Sequence, residues 1–371
     1  MLTETLAAFS PERTVALALD FEVALTHALR DCGLASSAAA EAVAQAARTS
    51  PPDPHSLLED ARHAGTLAIP LVAHLRAEAE ALQSASAEAV HRGATSQDVA
   101  DSVLVLQLRE GLDTVEPLVA TLANHLTNLA VQHEATPMPG RTLLQPGEAI
   151  TFGYKAGQWL MGLTQAQARV EREADNALVL QFGGAVGTHM GLEGEGANVA
   201  RALGSRLALP VPAAPWHSRR GNLAALAAAI GVLSGALAKI ATDLALLSQA
   251  SVAEVFEPRS EGRGSSSAMT YKRNATGCQQ ALTAVAPIAG LVGTMLTNIP
   301  VEHERGLHGW QGDAELFAQI LSRTRAALLA LEPVLAAPEI DVHRMTQALD
   351  GRDDVGEAVR LTRALLAACN R

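Results

Sequence analysis

Eight apolar residues, Leu104, Leu108, Leu112, Val115, Val119, Leu122, Leu126 and Leu129, follow one another at steps of 4, 4, 3, 4, 3, 4 and 3. A helix turns once every ~3.6 residues, so the series lines one helical face for about seven turns. Pro117 lies inside it and predicts a kink or a local boundary, because proline donates no backbone hydrogen bond. A second series runs Leu223, Ile230, Leu233, Leu237, Ile240, Leu244 and Leu247, with alanine at most positions between. A helix apolar nearly all round is buried on several sides. A third candidate helix extends from near Gln279 to about Leu296 and contains Pro287. Helices of about 30 residues span ~45 Å each. A chain of 371 residues cannot cover them all, so they are predicted to pack against further copies in a helical homo-oligomer.

The pattern predicts an all-α fold. Apolar residues make up 48% of the chain but aromatics only 3%, which suits helices packed closely through Ala, Leu and Val. Three parts are expected: a helical N-terminal domain over 1–100, a central long-helix bundle over 101–337, and a short helical appendage over 338–371. The net charge of -11 argues against nucleic acid as a partner, since phosphate binding needs a basic face. Cys32, Cys278 and Cys369 give neither a disulfide framework nor a zinc spacing, and no metal site is expected. The opening residues lack a basic stretch followed by an apolar one, so no signal peptide is read there. Leu223 to Ala238 is uncharged for 16 residues, short of the ~18–20 a membrane span needs. No membrane partner and a cytoplasmic location are therefore expected. Gly191-Leu-Glu-Gly-Glu-Gly mimics a dinucleotide fingerprint, but no strand precedes it.

Three polar segments interrupt the apolar pattern. The first is His91-Arg-Gly-Ala-Thr-Ser-Gln-Asp98, immediately before the first stripe. Thr95 and Asp98 have capping-box spacing, and a helix N-terminus offers free N–H groups that suit a carboxylate. His91, Arg92, Ser96 and Gln97 add side-chain donors. The second is Pro139-Gly-Arg-Thr-Leu-Leu-Gln145, which reads as a turn before a helix. The third, GRGSSSAMTYKRNATGC over 262–278, places three serines beside Lys272, Arg273 and Asn274. A flexible linker has little need of cations beside hydroxyls, whereas an oxyanion site uses both.

Together these segments resemble the fumarase/aspartase superfamily, whose third signature has the form GSSxMPxKxN. Aligned on Met269, this chain reads Ser265-Ser266-Ser267-Ala268-Met269-Thr270-Tyr271-Lys272-Arg273-Asn274. The strings HRGATSQDVADSVLVLQLR, GRTLLQPGEAITFGYKAG, LQFGGAVGT, PWHSRR and VEHERGLHGW resemble its cycloisomerase branch in particular. The likeness covers residues 9 to 345.

The resemblance implies a homotetramer with a shared central bundle and active sites drawn from three subunits. It implies cofactor-free addition or elimination next to a carboxylate, with a small polycarboxylate as substrate. In the cycloisomerase branch a substrate carboxylate closes a lactone, a step in aromatic-compound degradation. Ser266 takes the position of the catalytic serine, with Ser267 beside it. Lys272 and Asn274 would hold one carboxylate, and Thr95 and Ser96 another. His91, Arg92 and Gln97 would line the pocket, with Arg141, Thr142 and Gln145 from the second segment. Many members carry His where this chain has Leu143, and the cycloisomerase branch commonly has an apolar residue there. Thr270, Tyr271 and Ala275 replace Pro, His and Pro of the usual loop. Two alternatives remain open at this point: another superfamily lyase that releases fumarate or a related diacid, and a non-catalytic helical ligand-binding or assembly protein.

Overall fold

A computed structural model describes residues 4–260, 264, 269 and 272–369. Four helices come first: α1 (Pro11–Asp31), α2 (Ser37–Thr49), α3 (Pro54–Ala64) and α4 (Ala68–Leu82). Then follow α5 (Ser96–Gln132), a hairpin of β1 (Pro137–Thr142) and β2 (Gln145–Thr151), α6 (Phe152–Ala177), α7 (Gly196–Leu207) and α8 (Gly221–Leu247). After β3 (Val255–Phe256) come α9 (Thr276–Val285), α10 (Ile288–Thr297) and α11 (Asp313–Ala336). The chain ends with β4 (Glu339–Ile340), α12 (Val342–Gln347) and α13 (Ala358–Cys369). The all-α expectation holds, with two small antiparallel sheets added, β1–β2 and β3–β4.

The leucine stripe is the buried face of α5: Leu104, Leu108, Val115, Val119, Leu122, Leu126 and Leu129 are all in the core. The helix continues through Pro117, which is on the solvent face, where the carbonyl it leaves unpaired can be hydrated. Pro287 does break its helix, ending α9 and opening α10. Pro287 is exposed as well, so exposure alone does not set the two outcomes apart.

The direction of each helix can be read from its end contacts. Arg220, at the start of α8, donates to Asp101 in α5 (2.7 Å) and to Asp313, the first residue of α11 (2.5 Å). Asn298, just past α10, also donates to Asp313 (3.0 Å). So α5, α8 and α11 start at one end of the bundle, and α10 finishes there. At the other end, β3 follows α8 and pairs with β4, which follows α11. The hairpin after α5 lies there too, tied by Arg141 to Glu254. The three helices therefore run parallel, with α6 and α9–α10 returning between them.

By length and composition, α8 and the 276–297 segment could each cross a membrane. More than half of the α8 window is buried against its neighbours, as in a core helix. Its two charged residues pair with each other, Lys239 to Asp243 at 2.7 Å. The 276–297 window is only 22% buried, and Val232, Leu296 and Ile299 present large apolar side chains to the outside.

Candidate active site

At the near end, segment one forms the start of α5. The Thr95–Asp98 capping box is present, with the Asp98 carboxylate accepting the Thr95 N–H at 2.9 Å. Asp98 is fully buried and also accepts from the Gly184 N–H, Gln181 Nε2 (both 2.9 Å) and His217 Nε2 (2.7 Å). Four contacts to one carboxylate lock the helix N-terminus against the 181–184 loop. Gly184 sits at φ 74°, and a Cβ there would meet the Gly93 carbonyl at 2.8 Å. Only glycine permits that approach.

Ser96 opens the helix and is half-buried, while Gln97 faces inward and is fully buried. The Gln97 amide is spent on Asp101 (3.1 Å) and the His217 carbonyl (3.0 Å). Arg92 donates to Glu193 (2.7 Å) and to the Leu34 carbonyl, which anchors the segment to its neighbours. His91 contacts Glu22 through Nδ1 at 2.6 Å. The structure adds a residue the sequence reading did not single out: Arg305, whose guanidinium donates to the Thr95 hydroxyl. It has no carboxylate partner among the described residues. A lone cation among Glu302, His303 and Glu304 was the available signal.

Segments two and three lie at the far end. The second is a β-hairpin rather than a plain turn. Thr142 and Gln145 close its ladder, and Leu143 and Leu144 form the two-residue loop at φ 51° and 64°. Positive φ at both loop positions is the I′ pattern that Asn-Gly usually supplies, and each leucine there costs about 1–2 kcal/mol. Leu143 is 95% exposed and Leu144 72%. Arg141 is held bidentately by the fully buried Glu254, so its charge anchors the hairpin. Half-buried Lys155 lies near this pair and Asp243, and burial pulls its ammonium below the usual lysine range.

Lys272 and Asn274 line a cavity of about 200 Å³ with Phe256, Glu257, Arg259 and Ser260. Arg273 is committed to structure: it pairs with Glu339 (2.8 Å), donates to the Glu257 carbonyl and stacks on Phe256 at 4.4 Å. The Asn274 N–H donates to the Gly264 carbonyl at 3.0 Å, tying the two flanks of the serine stretch together. Ser266 and Ser267 themselves lie outside the described residues.

The 37 residues of α5 separate segment one from segment two by about 55 Å. The 27 residues of α8 separate the near end from Lys272 by about 40 Å. A single chain therefore holds the candidate site residues in two groups at opposite ends. One holds Thr95, Ser96, His91 and Arg305, and the other holds Thr142, Gln145, Lys272 and Asn274.

The candidate residues thus stand at the two ends of a bundle of long parallel helices. The family described as Lyase matches residues 7–290, and the chain belongs to that family, within the fumarase/aspartase superfamily. Among its relatives is the 3-carboxy-cis,cis-muconate cycloisomerase of Bradyrhizobium diazoefficiens, 36% identical over 359 residues, spanning 97% of this chain and 80% of that one. The Pseudomonas aeruginosa protein of the same name is 38% identical over 343 residues, spanning 92% and 75%. The crystal structure of the 3-carboxy-cis,cis-muconate lactonizing enzyme from Pseudomonas putida superposes with a TM-score of 0.88 at 34% identity, covering all of this chain and 86% of that one.

Proposed function

We propose that this protein is a 3-carboxy-cis,cis-muconate cycloisomerase. The observation that carries the reading is the three polar segments in order, with apolar Leu143 at the hairpin tip, in a chain similar over nine-tenths of its length to cycloisomerases. In this reading one carboxylate of the substrate is the nucleophile. Its oxygen forms a C–O bond to one end of a double bond. The π electrons move to the carbon next to another carboxylate, and that carbon takes a proton from Ser266. No cofactor enters this reading. Lys272 and Asn274 hold one carboxylate, and the α5 N-terminus with Thr95, Ser96 and Arg305 holds another. Charge that builds on the activated carboxylate is met by donors already in place.

The active protein is proposed to be a homotetramer. The opposed half-sites and the exposed apolar 276–297 face support this reading. Antiparallel packing of copies would bring a near end of one chain to the far ends of others. The leucine tip of the hairpin would then be covered by a neighbour. A cytoplasmic location and a place in aromatic-acid degradation fit a water-soluble tricarboxylate substrate.

The test is direct. Purified protein mixed with 3-carboxy-cis,cis-muconate is expected to abolish the ultraviolet absorbance of the conjugated diene and yield a lactone. Absorbance that stays constant would remove this substrate. Release of fumarate from a substituted succinate would instead identify a different lyase of the family.

A further inference from the structure

Beneath segment one, α1 places Glu22 in the core with its side chain fully buried. Its Oε1 lies 2.6 Å from His91 Nδ1, and its Oε2 has no hydrogen-bond partner among the described residues. A buried carboxylate with a single partner is costly, and packing alone would be served better by an apolar side chain of the same volume. The other member of the pair is also held at a cost. His91 stands at φ 62°, a conformation a non-glycine residue rarely adopts, and its side chain remains 15% exposed. Two unfavourable features thus meet at one short contact, next to the proposed carboxylate-binding helix start. Strain concentrated in this way commonly serves orientation.

A carboxylate at Nδ1 fixes which imidazole nitrogen carries the proton and how the ring is turned. We propose that Glu22 is a positioning residue for the reaction. It accepts the Nδ1–H of His91, locks that tautomer and ring angle, and leaves Nε2 as the nitrogen that meets the substrate. The ring can then serve a carboxylate of the substrate without rotating away, as the partly exposed His91 otherwise would. This inference rests on the reading of segment one as part of the active site.

A double-mutant cycle separates the two. His91→Ala is measured alone, Glu22→Leu alone, and both together, with 3-carboxy-cis,cis-muconate as substrate. Glu22→Leu is expected to lower kcat about 10–100-fold, the usual scale for loss of an orienting partner. In the His91→Ala background the same change is expected to cost nothing further, because Glu22 acts only through that ring. Glu22→Gln keeps the volume and an acceptor oxygen, so its loss should be only a few-fold and should again vanish without His91. This variant carries the test if Glu22→Leu does not fold. Equal losses in both backgrounds would overturn the inference and make Glu22 a structural residue. Unchanged turnover in His91→Ala would instead refute the placement of segment one in the site, and the inference with it.

Discussion

Ser266→Ala is expected to lose about 10³-fold in kcat while KM stays within a few-fold, the scale of removing a positioned proton donor. The split follows from the division of labour in the proposed site. Carboxylate binding is assigned to Lys272, Asn274 and the α5 N-terminus, none of which the substitution touches. The flanks of the serine stretch are tied by the Asn274–Gly264 backbone bond, so the loop base should survive the loss of one hydroxyl. Steady-state kinetics on the diene absorbance measures both constants. A rise in KM at unchanged kcat would make Ser266 a binding group, and unchanged turnover would dismiss it from the chemistry.

Arg220→Met is expected to destabilise the fold by about 3–5 kcal/mol, the cost of leaving buried charge without its partner. Arg220 is 2% exposed and joins Asp101 of α5 to Asp313 of α11, both of them buried. Burial by itself would lower the Arg220 pKa, but the two carboxylates outweigh it and hold it above the ordinary arginine value. Burial pushes the Asp101 carboxyl up, and Arg220 offsets only part of that. Without the guanidinium, the buried Asp101 carboxyl is driven further toward taking up a proton in the folded state. A carboxyl with a raised folded-state pKa binds its proton more tightly folded than unfolded, so stability falls as pH rises through that window. The deficit of Arg220→Met should therefore shrink toward acid pH. Denaturant unfolding at two pH values measures this. Replacing all three residues, as Arg220→Met/Asp101→Leu/Asp313→Leu, should recover most of the loss, because the desolvation cost leaves with the charges. A deficit under about 1 kcal/mol in the single variant would mean the triad braces nothing.

The long helices were legible because one periodicity, sustained from Leu104 to Leu129, has no other structural solution. The capping box at Thr95 and Asp98 was legible for a local reason: its partners lie three residues apart. The hairpin was not legible. Its strands contain Pro139, Gly140 and Pro146, and its loop is Leu-Leu where Asn-Gly would have announced it. Pro117 and Pro287 could not be told apart from sequence: both are exposed, yet α5 runs through the first and the second separates α9 from α10. Within the site, Gln97 reads as a donor free to meet substrate, but its amide N–H groups are spent on Asp101, one turn along α5, and on the distant His217 carbonyl, which no local pattern reveals. Arg305 and Glu22 lie 210 and 69 residues from their partners, Thr95 and His91, so no local pattern could have paired them.

The central claim is that each active site joins the near end of one chain to the far end of another. Co-expression of Ser266→Ala with Thr95→Val/Ser96→Ala tests it most directly. Each variant alone should be nearly inactive. In a random mixture the near half-site is intact in half of the copies, and so is the far half-site. About a quarter of native activity should then return, because independent halves combine by multiplication in a symmetric oligomer. Activity in the mixed oligomers no higher than in either parent would contradict the account.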